Sequence, residues 1–302
     1  MYTIEKQQTK IDNFKINNYY FKRARDSFEY ILTNILHDKK ILIPAYIGYS
    51  SNEGSGIFDP IKNSDVNYEF YKLQKDLNID KNFLFKLMDA NENSVLLLVH
   101  YFGFMDINIE DIKSYAKRKN IKIVEDCAHS FFTFFKAPLV DSEYYIFSLH
   151  KMFSYTQGGM LISKDTLNLK DSYTVDPFEY NLFAITNKRV QNYEYLVAKL
   201  ELLTDIKILR PTLNNNVPQT LPVLVQSEEI RDNLYFKLNE FGFGVVSLYH
   251  ELIKEVNLEI FQSENHLSKH ILNFPIHQDI SLDELDKMVQ CILNNKLLKS
   301  SI

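Results

Sequence analysis

The pattern of apolar and polar positions in the first half of the chain alternates between strand-like and helix-like segments. Residues 94–103 form a nearly continuous apolar run, which is typical of a parallel strand buried on both faces. Residues 107–120 then repeat apolar positions at helical spacing, and strands are predicted over 121–126 and 144–148. This alternation over residues 20–165 predicts an α/β layer around a mostly parallel sheet.

The second half of the chain has a different pattern. In the first half, the pattern also predicts a helix over 20–36 and strands over 41–46, 66–71 and 158–165. In the second half, it predicts helices over 187–204, 228–242 and 282–295 and strands over 220–225 and 244–249. A polar stretch, residues 166–186, separates the two halves. We therefore expect a large domain of residues 1–175 and a smaller C-terminal α+β domain of residues 176–302.

Composition mainly excludes function classes. Only 8 glycines occur in 302 residues, where average usage would give about 20. The G-x-G-x-x-G, P-loop and G-x-S-x-G motifs are absent from the sequence, which disfavours a standard dinucleotide, P-loop or hydrolase site. A net charge of −5 disfavours nucleic-acid binding.

Targeting and cysteine content indicate a cytoplasmic protein. Residues 1–14 contain no apolar signal-peptide core, and no apolar run is long enough to span a membrane. The two cysteines, Cys127 and Cys291, cannot form a disulfide framework, and no zinc motif accompanies them. We expect no metal site, because His266 and His270 share a helical spacing but have no acidic or third ligand.

Candidate chemistry begins at the end of the strand predicted over residues 121–126. Glu125 and Asp126 end that strand, and His129 follows three residues after the aspartate. Ligands of open α/β sheets bind beyond the carboxyl ends of strands, so these side chains are candidates for a site. The alternative interpretation is that Asp126 caps the next segment and His129 is a structural histidine.

A lysine follows the next strand end. Ser148 ends the strand predicted over 144–148, Lys151 comes three residues later, and Gly158-Gly159 permits a tight return. A partly desolvated lysine has a lowered pKa and a nucleophilic amine. An ordinary surface lysine is the alternative.

The first predicted helix opens with Arg23-Ala24-Arg25-Asp26-Ser27. Backbone N–H groups at a helix start can hold a phosphate group, especially beside an arginine or a serine. A plain helix start with solvated charges is an equally good interpretation of this segment alone.

Taken in order, these segments resemble the fold-type-I pyridoxal-phosphate sugar aminotransferases of the DegT/StrS group. The Val-His-Tyr-Phe-Gly of residues 99–103 and the Glu-Asp-Cys-Ala-His of residues 125–129 are similar to two strand ends of that family. Lys151 stands seven residues before Gly158, as the family's lysine stands before its Gly-Gly pair.

The ends of the chain extend the resemblance. Residues 24–28 resemble a variant of the family's phosphate loop, residues 41–46 resemble the strand that follows it, and residues 271–281 resemble the family's closing strand and turn. The resemblance therefore runs from about residue 20 to about residue 295. It implies a three-layer large domain of pyridoxal-phosphate fold type I with a smaller C-terminal domain.

The resemblance also implies roles for single residues. Lys151 would bind pyridoxal 5′-phosphate covalently and move a proton, and Asp126 would pair with the pyridinium nitrogen. His129 would lie near the 3-hydroxyl of the ring. Ser148 and the backbone amides of Ala24 and Arg25 would hold the cofactor phosphate.

The implied reaction moves an amino group. An amino acid, expected to be glutamate, would donate the nitrogen, and a nucleotide-linked keto-sugar for polysaccharide biosynthesis would accept it. Members of the family are homodimers with an interfacial active site. The resemblance thus implies small-molecule substrates and a second copy of the chain as partners, with no nucleic acid and no membrane.

This chain departs from the family pattern at several positions. Ala24 replaces a phosphate-loop glycine, and Ser148 is three residues before the lysine instead of five. The aromatic that stacks on the cofactor ring would fall at Gly48, so Tyr46 and Tyr49 remain alternatives for that role.

A second departure concerns the partner subunit. The family's Asn-x-Arg segment, which reaches into the partner's site, has no clear match, and Asn181, Asn187 and Arg189 are weak candidates for it.

Two other functions stay open because of these departures. One is a pyridoxal-phosphate enzyme with another reaction or with a small amine or phosphate substrate. The other is a non-catalytic relative that acts as a binding subunit. Convergence of Asp126, His129 and Lys151 on one pocket would oppose the second alternative.

Overall fold

The structure is a computed structural model, and it describes residues 17–49, 56–136, 141–169 and 173–295. The opening segment, residues 1–14, on which the expectation of no signal peptide was based, lies outside these ranges. In the described ranges no helix combines the length and the apolar character that crossing a membrane requires.

Ten strands and nine α-helices form in the described residues. The strands are β1 (Asn17–Phe21), β2 (Ile41–Pro44), β3 (Tyr68–Tyr71), β4 (Val95–Val99), β5 (Lys122–Asp126), β6 (Tyr144–Ser148), β7 (Gly159–Ser163), β8 (Ile206–Ile208), β9 (Thr220–Val225) and β10 (Ile271–Pro275). The helices are α1 (Ala24–Asn34), α2 (Phe58–Asn63), α3 (Lys81–Ala90), α4 (Ile109–Arg118), α5 (Phe131–Lys136), α6 (Leu182–Leu200), α7 (Glu228–Glu240), α8 (Gln262–His270) and α9 (Leu282–Leu293).

A seven-stranded sheet forms the core of the first half, in the order β1-β7-β6-β5-β4-β2-β3. The strands from β3 to β6 run parallel, and β7 and β1 are antiparallel to their neighbours. Alternate residues of β4 pack on opposite sides: Leu97 packs with the apolar face of α1, whereas Leu96 packs with α3 and α4. Helices thus cover both faces, which confirms the predicted three-layer α/β fold with a mostly parallel sheet.

One predicted helix of this half begins later than expected. Residues 17–21 form β1, which pairs with β7, and α1 starts only at Ala24. The pattern over residues 20–36 therefore merges the end of a strand with a helix. Apolar spacing alone does not separate them, because Tyr20 and Phe21 suit either element.

The second half builds a smaller sheet in the order β10-β9-β8, with antiparallel pairing. The strand predicted over residues 244–249 is wrong, since this segment makes only an isolated bridge between Val246 and Asn273. Left-handed backbone at Gly244 (φ 68°) and Tyr249 (φ 63°) prevents a continuous strand there. The two sheets lie on either side of residue 175, and the domain boundary at that residue stays a prediction.

Candidate active site

A cavity of about 350 Å³ lies at the carboxyl ends of β4, β5 and β6. Its volume falls in the range of about 300–1,000 Å³ that is typical of small-molecule sites. All six residues singled out from the sequence line it: Lys151, Asp126, His129, Ser148, Ala24 and Arg25. The fold therefore brings together residues that are up to 127 positions apart, from 24 to 151, although their roles stay predictions.

Asp126 ends β5 and lies at the floor of the cavity, 8% exposed. Its Oδ1 accepts a hydrogen bond of 2.8 Å from the backbone N–H of Ala128. Burial raises the pKa of Asp126, and this hydrogen bond together with the charges of Lys151 and His100 acts in the opposite direction. The carboxylate is thus held facing the cavity with hydrogen-bonding capacity left for a ligand.

Glu125, the preceding residue, points to the other side of β5 and is fully buried. His100 Nε2 lies 2.7 Å from one carboxylate oxygen, and Lys113 Nζ lies 2.8 Å from the other, which also accepts a hydrogen bond from Ser142. Burial opposes ionisation, but the His100 hydrogen bond and the charges of His100 and Lys113 lower the pKa of Glu125 to about 2. Glu125 is therefore a structural carboxylate that anchors β5.

His129 and Lys151 contact each other across the cavity, with 2.8 Å between His129 Nε2 and Lys151 Nζ. The backbone N–H of Phe102 donates to His129 Nδ1 at 3.3 Å. Burial, and then the charge of Lys151, lower the pKa of His129 well below its usual value. A neutral imidazole whose Nδ1 accepts a hydrogen bond carries its proton on Nε2, and His129 can donate this proton to Lys151 Nζ when that amine is unprotonated.

The turn that carries the Phe102 N–H requires a glycine at position 103. Gly103 has a φ of 96°, and a Cβ at this position would lie 2.8 Å from Pro218 Cα and 2.9 Å from the His129 carbonyl oxygen. Only glycine allows that approach, which explains the glycine of the Val-His-Tyr-Phe-Gly segment physically.

Lys151 is carried by a single 3-10 turn, Leu149–Lys151, directly after β6. The backbone N–H of Leu149 donates to the Gly158 carbonyl at 2.9 Å, which closes the loop from the lysine to the Gly-Gly pair. Ser148 is buried beside the cavity, and its Oγ lies 3.3 Å from His150 Nδ1. The shortened serine–lysine interval therefore corresponds to one tight turn with both side chains still at the cavity.

The start of α1 forms another part of the cavity wall. Arg23, the N-cap residue, makes no side-chain capping hydrogen bond, and the first backbone N–H groups of a helix have no carbonyl partner within the helix. The guanidinium of Arg23 pairs with Asp26 at 2.7 Å, and Arg25 contacts Asp59 at 3.4 Å. We expect the backbone of Ala24 and Arg25, more than their side chains, to bind an anion here.

Gly159 allows this helix start to lie against the sheet. A Cβ on Gly159 would lie 2.4 Å from the carbonyl carbon of Arg23 and 2.5 Å from the nitrogen of Ala24. The close backbone approach that a phosphate-loop glycine normally permits is thus provided from β7, across from Ala24.

Tyr249 is a cavity residue that the sequence analysis missed. It comes from the loop after α7 and lines the cavity together with Asp126 and His129. Its ring centroid lies 5.2 Å from that of Tyr46 and 6.3 Å from that of His129. No local pattern marks Tyr249, because it is brought to the site by tertiary contacts between distant segments.

The two aromatic candidates near Gly48 have different environments. Tyr46 is fully buried behind the cavity wall and donates a hydrogen bond from its hydroxyl to the Leu248 carbonyl at 3.3 Å. Tyr49 lines the cavity but is 47% exposed.

Two of the three candidates for a segment that reaches into a partner subunit, Asn181 and Arg189, make contacts within their own chain. Asn181 caps α6 by accepting a hydrogen bond from the Ala184 N–H. Arg189 is 2% exposed, donates to Gln278 at 3.1 Å, and stacks on Phe132. Asn187 lies between them on the same helix. Arg189 is therefore a core residue of this chain.

These residues fit pyridoxal phosphate. Lys151 offers an amine at the cavity, and Asp126 offers a carboxylate that accepts a single hydrogen bond from the described chain. The uncapped start of α1 and the hydroxyl of Ser148 offer donors for a phosphate group. The cavity thus combines an amine, a carboxylate and a helix start, which are the groups that binding of pyridoxal phosphate requires.

Comparison with known proteins supports the same interpretation. Residues 73–175 match the DegT/DnrJ/EryC1/StrS aminotransferase family. The matched segment includes Asp126, His129, Ser148 and Lys151. A search of curated proteins finds no match to the chain.

Solved structures with a similar fold come from the same group of enzymes. A DegT/DnrJ/EryC1/StrS aminotransferase from Brucella abortus has a TM-score of 0.73 at 14% identity, over 92% of this chain and 85% of that one. PseC from Helicobacter pylori, an aminotransferase of pseudoaminic acid biosynthesis, gives 0.74 at 14% identity, over 92% and 86%. NtdA from Bacillus subtilis, solved with bound PMP, gives 0.70 at 15% identity, over 91% and 72%.

These findings confirm several expectations at the level of the family. The structural similarity confirms the fold, and the sequence match over residues 73–175 confirms the family resemblance. The match over residues 73–175 supports the predicted class of enzyme, an aminotransferase that uses pyridoxal phosphate.

Proposed function

We propose that this chain, whose residues 73–175 match an aminotransferase family, transfers an amino group from an amino acid, glutamate, to a nucleotide-linked keto-sugar. The observation that carries the proposal is the meeting of Lys151, His129 and Asp126 at one cavity beside the start of α1. Such convergence opposes the alternative of a non-catalytic binding subunit, in which these side chains have no reason to share a pocket.

Pyridoxal phosphate, when bound, supplies an electron sink that stabilises negative charge at the carbon next to the transferred nitrogen. Lys151 would hold the cofactor and then carry a proton on its Nζ between the two carbons bonded to the transferred nitrogen. The Asp126 carboxylate, buried at the cavity, would accept a hydrogen bond from the ring N–H, and its negative charge would keep that nitrogen protonated.

His129 orients the lysine and the ring. Phe102 fixes Nδ1 as an acceptor, so the Nε2 proton faces the cavity and can be donated to an oxygen substituent of the ring. Ser148 and the first backbone N–H groups of α1 hold the phosphate end.

The sugar acceptor is supported by the structural relatives. PseC is named as an aminotransferase of pseudoaminic acid biosynthesis, and CalS13 from Micromonospora echinospora, which has a similar fold, is named a sugar aminotransferase. We extend this substrate class to the present chain and infer a role in polysaccharide biosynthesis.

The cofactor is tested by adding pyridoxal phosphate to the purified protein and recording visible absorbance, followed by borohydride reduction and peptide mass analysis. We expect the reduced adduct on Lys151. Lys151→Ala should abolish the adduct and lower the transamination rate at least about 10⁴-fold, because the nucleophile and proton carrier are lost together.

Lys122→Ala is the matched control, since Lys122 is an exposed lysine on β5, and it should behave as the unmodified protein. An adduct that survives in Lys151→Ala would contradict the assignment of the lysine.

The acceptor is tested by supplying glutamate with a panel of nucleotide-linked keto-sugars and measuring 2-oxoglutarate. Formation of 2-oxoglutarate that depends on a keto-sugar supports the proposal. Amine products formed without any keto-acceptor would instead support a different pyridoxal-phosphate reaction.

We further propose a cytoplasmic homodimer. Cys127 and Cys291 are both free, which suits a reducing compartment. Phe178, whose ring contacts Phe131 and Phe135 of α5, is 44% exposed, and Phe183 is 77% exposed. Such exposed apolar groups are typical of an interface. Light scattering of Phe183→Ser tests this, with a shift from dimer towards monomer expected.

A further inference from the structure

The wall of the cavity above Gly48 is built by two distant segments that hydrogen-bond to each other. The Tyr49 N–H donates to the Glu251 carbonyl at 2.7 Å, and the Ile253 N–H donates to the Ile47 carbonyl at 3.0 Å. The loop that carries Tyr249 is thereby fixed against the segment that follows β2.

Tyr249 is held in an unfavourable backbone conformation at this wall. Its φ of 63° lies in the left-handed region, which bulky residues rarely adopt. Such conformations persist only where the surroundings impose them, and they concentrate at functional sites. Edge-to-face contacts with Tyr46 and Tyr101, at centroid distances of 5.2 and 5.6 Å, fix the ring.

A side chain at position 48 would clash with Tyr249. A Cβ at Gly48 would lie 2.6 Å from Cδ1 of Tyr249 and 2.8 Å from its Cα. Tyr249 therefore fills the space into which a side chain at position 48 would extend. In this chain the ring that faces the cavity near residue 48 comes from the second half of the sequence.

We propose that Tyr249 provides the aromatic surface that packs on one face of the pyridoxal ring, in place of a residue at position 48. This inference rests on the proposed function. Tyr249 lines the same cavity as Asp126 and His129, and the carboxylate of Asp126 is near enough to contribute to raising the Tyr249 pKa, after burial. Its ring thus lies beside the groups expected to bind the edge of the cofactor.

Neither tyrosine near Gly48 serves this role as well. Tyr46 is fully buried and supports the Tyr249 ring from behind. Tyr49 is half exposed at the cavity rim, and its backbone N–H is used in holding the Tyr249 loop.

The test measures the dissociation constant of pyridoxal phosphate by equilibrium dialysis for the full-length protein and three variants. Tyr249→Leu should weaken binding about 3- to 10-fold, because it removes an aromatic face. Tyr249→Phe keeps the ring and should bind within about twofold of the unmodified protein. Tyr49→Leu, the matched control at the same cavity, should also stay within about twofold.

A fourth variant guards against a folding defect. Tyr249→Asn removes the ring but tolerates the left-handed backbone, so the cofactor-free protein should unfold cooperatively at a temperature no lower than that of Tyr249→Leu, while cofactor binding is weakened as in Tyr249→Leu. Unchanged binding in Tyr249→Asn would overturn the inference.

An equal loss in Tyr249→Phe would also overturn it, since the hydroxyl and not the ring would then be the binding group. Failure of the proposed function is distinguishable, because the unmodified protein would then show no cofactor binding and no adduct on Lys151.

Discussion

Glu125 and Asp126 are neighbours on β5, but their carboxylates lie on opposite faces of the strand and differ in the number of partners that contact them. Glu125 faces the interior behind the strand, where His100, Lys113 and Ser142 contact both of its oxygens. Asp126 faces the cavity and accepts one hydrogen bond, from Ala128, among the residues that the structure describes.

Both side chains are desolvated, so burial alone does not explain their difference. The partners of Glu125 lower its pKa to about 2, whereas burial raises the pKa of Asp126. A carboxylate whose partners are supplied within the fold serves stability. One that is buried, incompletely bonded and open to a cavity is typical of a binding or catalytic group.

Removing the charge of Glu125 should have the largest effect on stability. Glu125→Gln removes the buried anion that faces His100 and leaves Lys113 paired with Asp141 only, and we expect the free energy of unfolding to fall by about 3–5 kcal/mol. Urea denaturation measures this change. Glu69→Gln is the control, because its ion pair with Lys40 is half exposed and should contribute less than about 1 kcal/mol. Equal effects of the two substitutions would invalidate the contrast.

Removing the charge of Asp126 should affect activity instead of stability. Asp126→Asn removes the charge expected at the ring nitrogen, so we predict kcat/KM lower by about 100- to 1,000-fold. The cofactor-free protein should be at least as stable as before, because its burial disfavours the charged form. Steady-state kinetics test the expected loss of activity, and thermal unfolding of the cofactor-free protein tests the expected stability. Asp111→Asn, an exposed site on α4, should change neither.

The smallest expected effect is a difference between Glu125 and Asp126 in how each contributes to the pH dependence of stability. The pKa of Glu125 is lowered from 4.5 to about 2, so its stabilising contribution is present above about pH 4.5 and lost as pH falls towards 2. The stability difference between the unmodified protein and Glu125→Gln should therefore shrink below pH 4.5.

The pKa of Asp126 is raised, so its charged form opposes folding at neutral pH, and this penalty is relieved as the carboxyl group is protonated. The stability gain of Asp126→Asn should therefore also disappear in acid. Urea denaturation at several pH values tests both curves, and parallel pH profiles for all three proteins would contradict the assignment.

Segments with local patterns were predictable from the sequence. β4 and β6 are short, largely apolar strands with buried residues on both faces, and they could be recognised because burial in a parallel sheet favours continuous apolar residues. β5 could be recognised from its apolar centre, Ile123-Val124, next to these strands. The six predicted site residues lie at strand ends or at a helix start, where the topology of an α/β sheet brings them together.

What the sequence could not indicate depends on contacts between distant segments. α8 lacks a clear apolar stripe, and α2 and α5 are only six residues long, too short for periodicity to show. Residues 244–249 alternate like a strand, but the backbone is left-handed at Gly244 and Tyr249. Tyr249 reaches the cavity only because its loop pairs with residues that lie about 200 positions earlier.

The contact of Gly159 with Arg23 and Ala24 has a mechanical consequence. Gly159 belongs to the strand that follows the Lys151 loop, and the backbone it touches starts α1. The proposed binding sites for a phosphate and for the Lys151 amine are therefore linked through one backbone contact that has no side chain between the two segments. We expect any side chain at position 159 to push the start of α1 away from β7 and so to lengthen the distance between the two proposed sites.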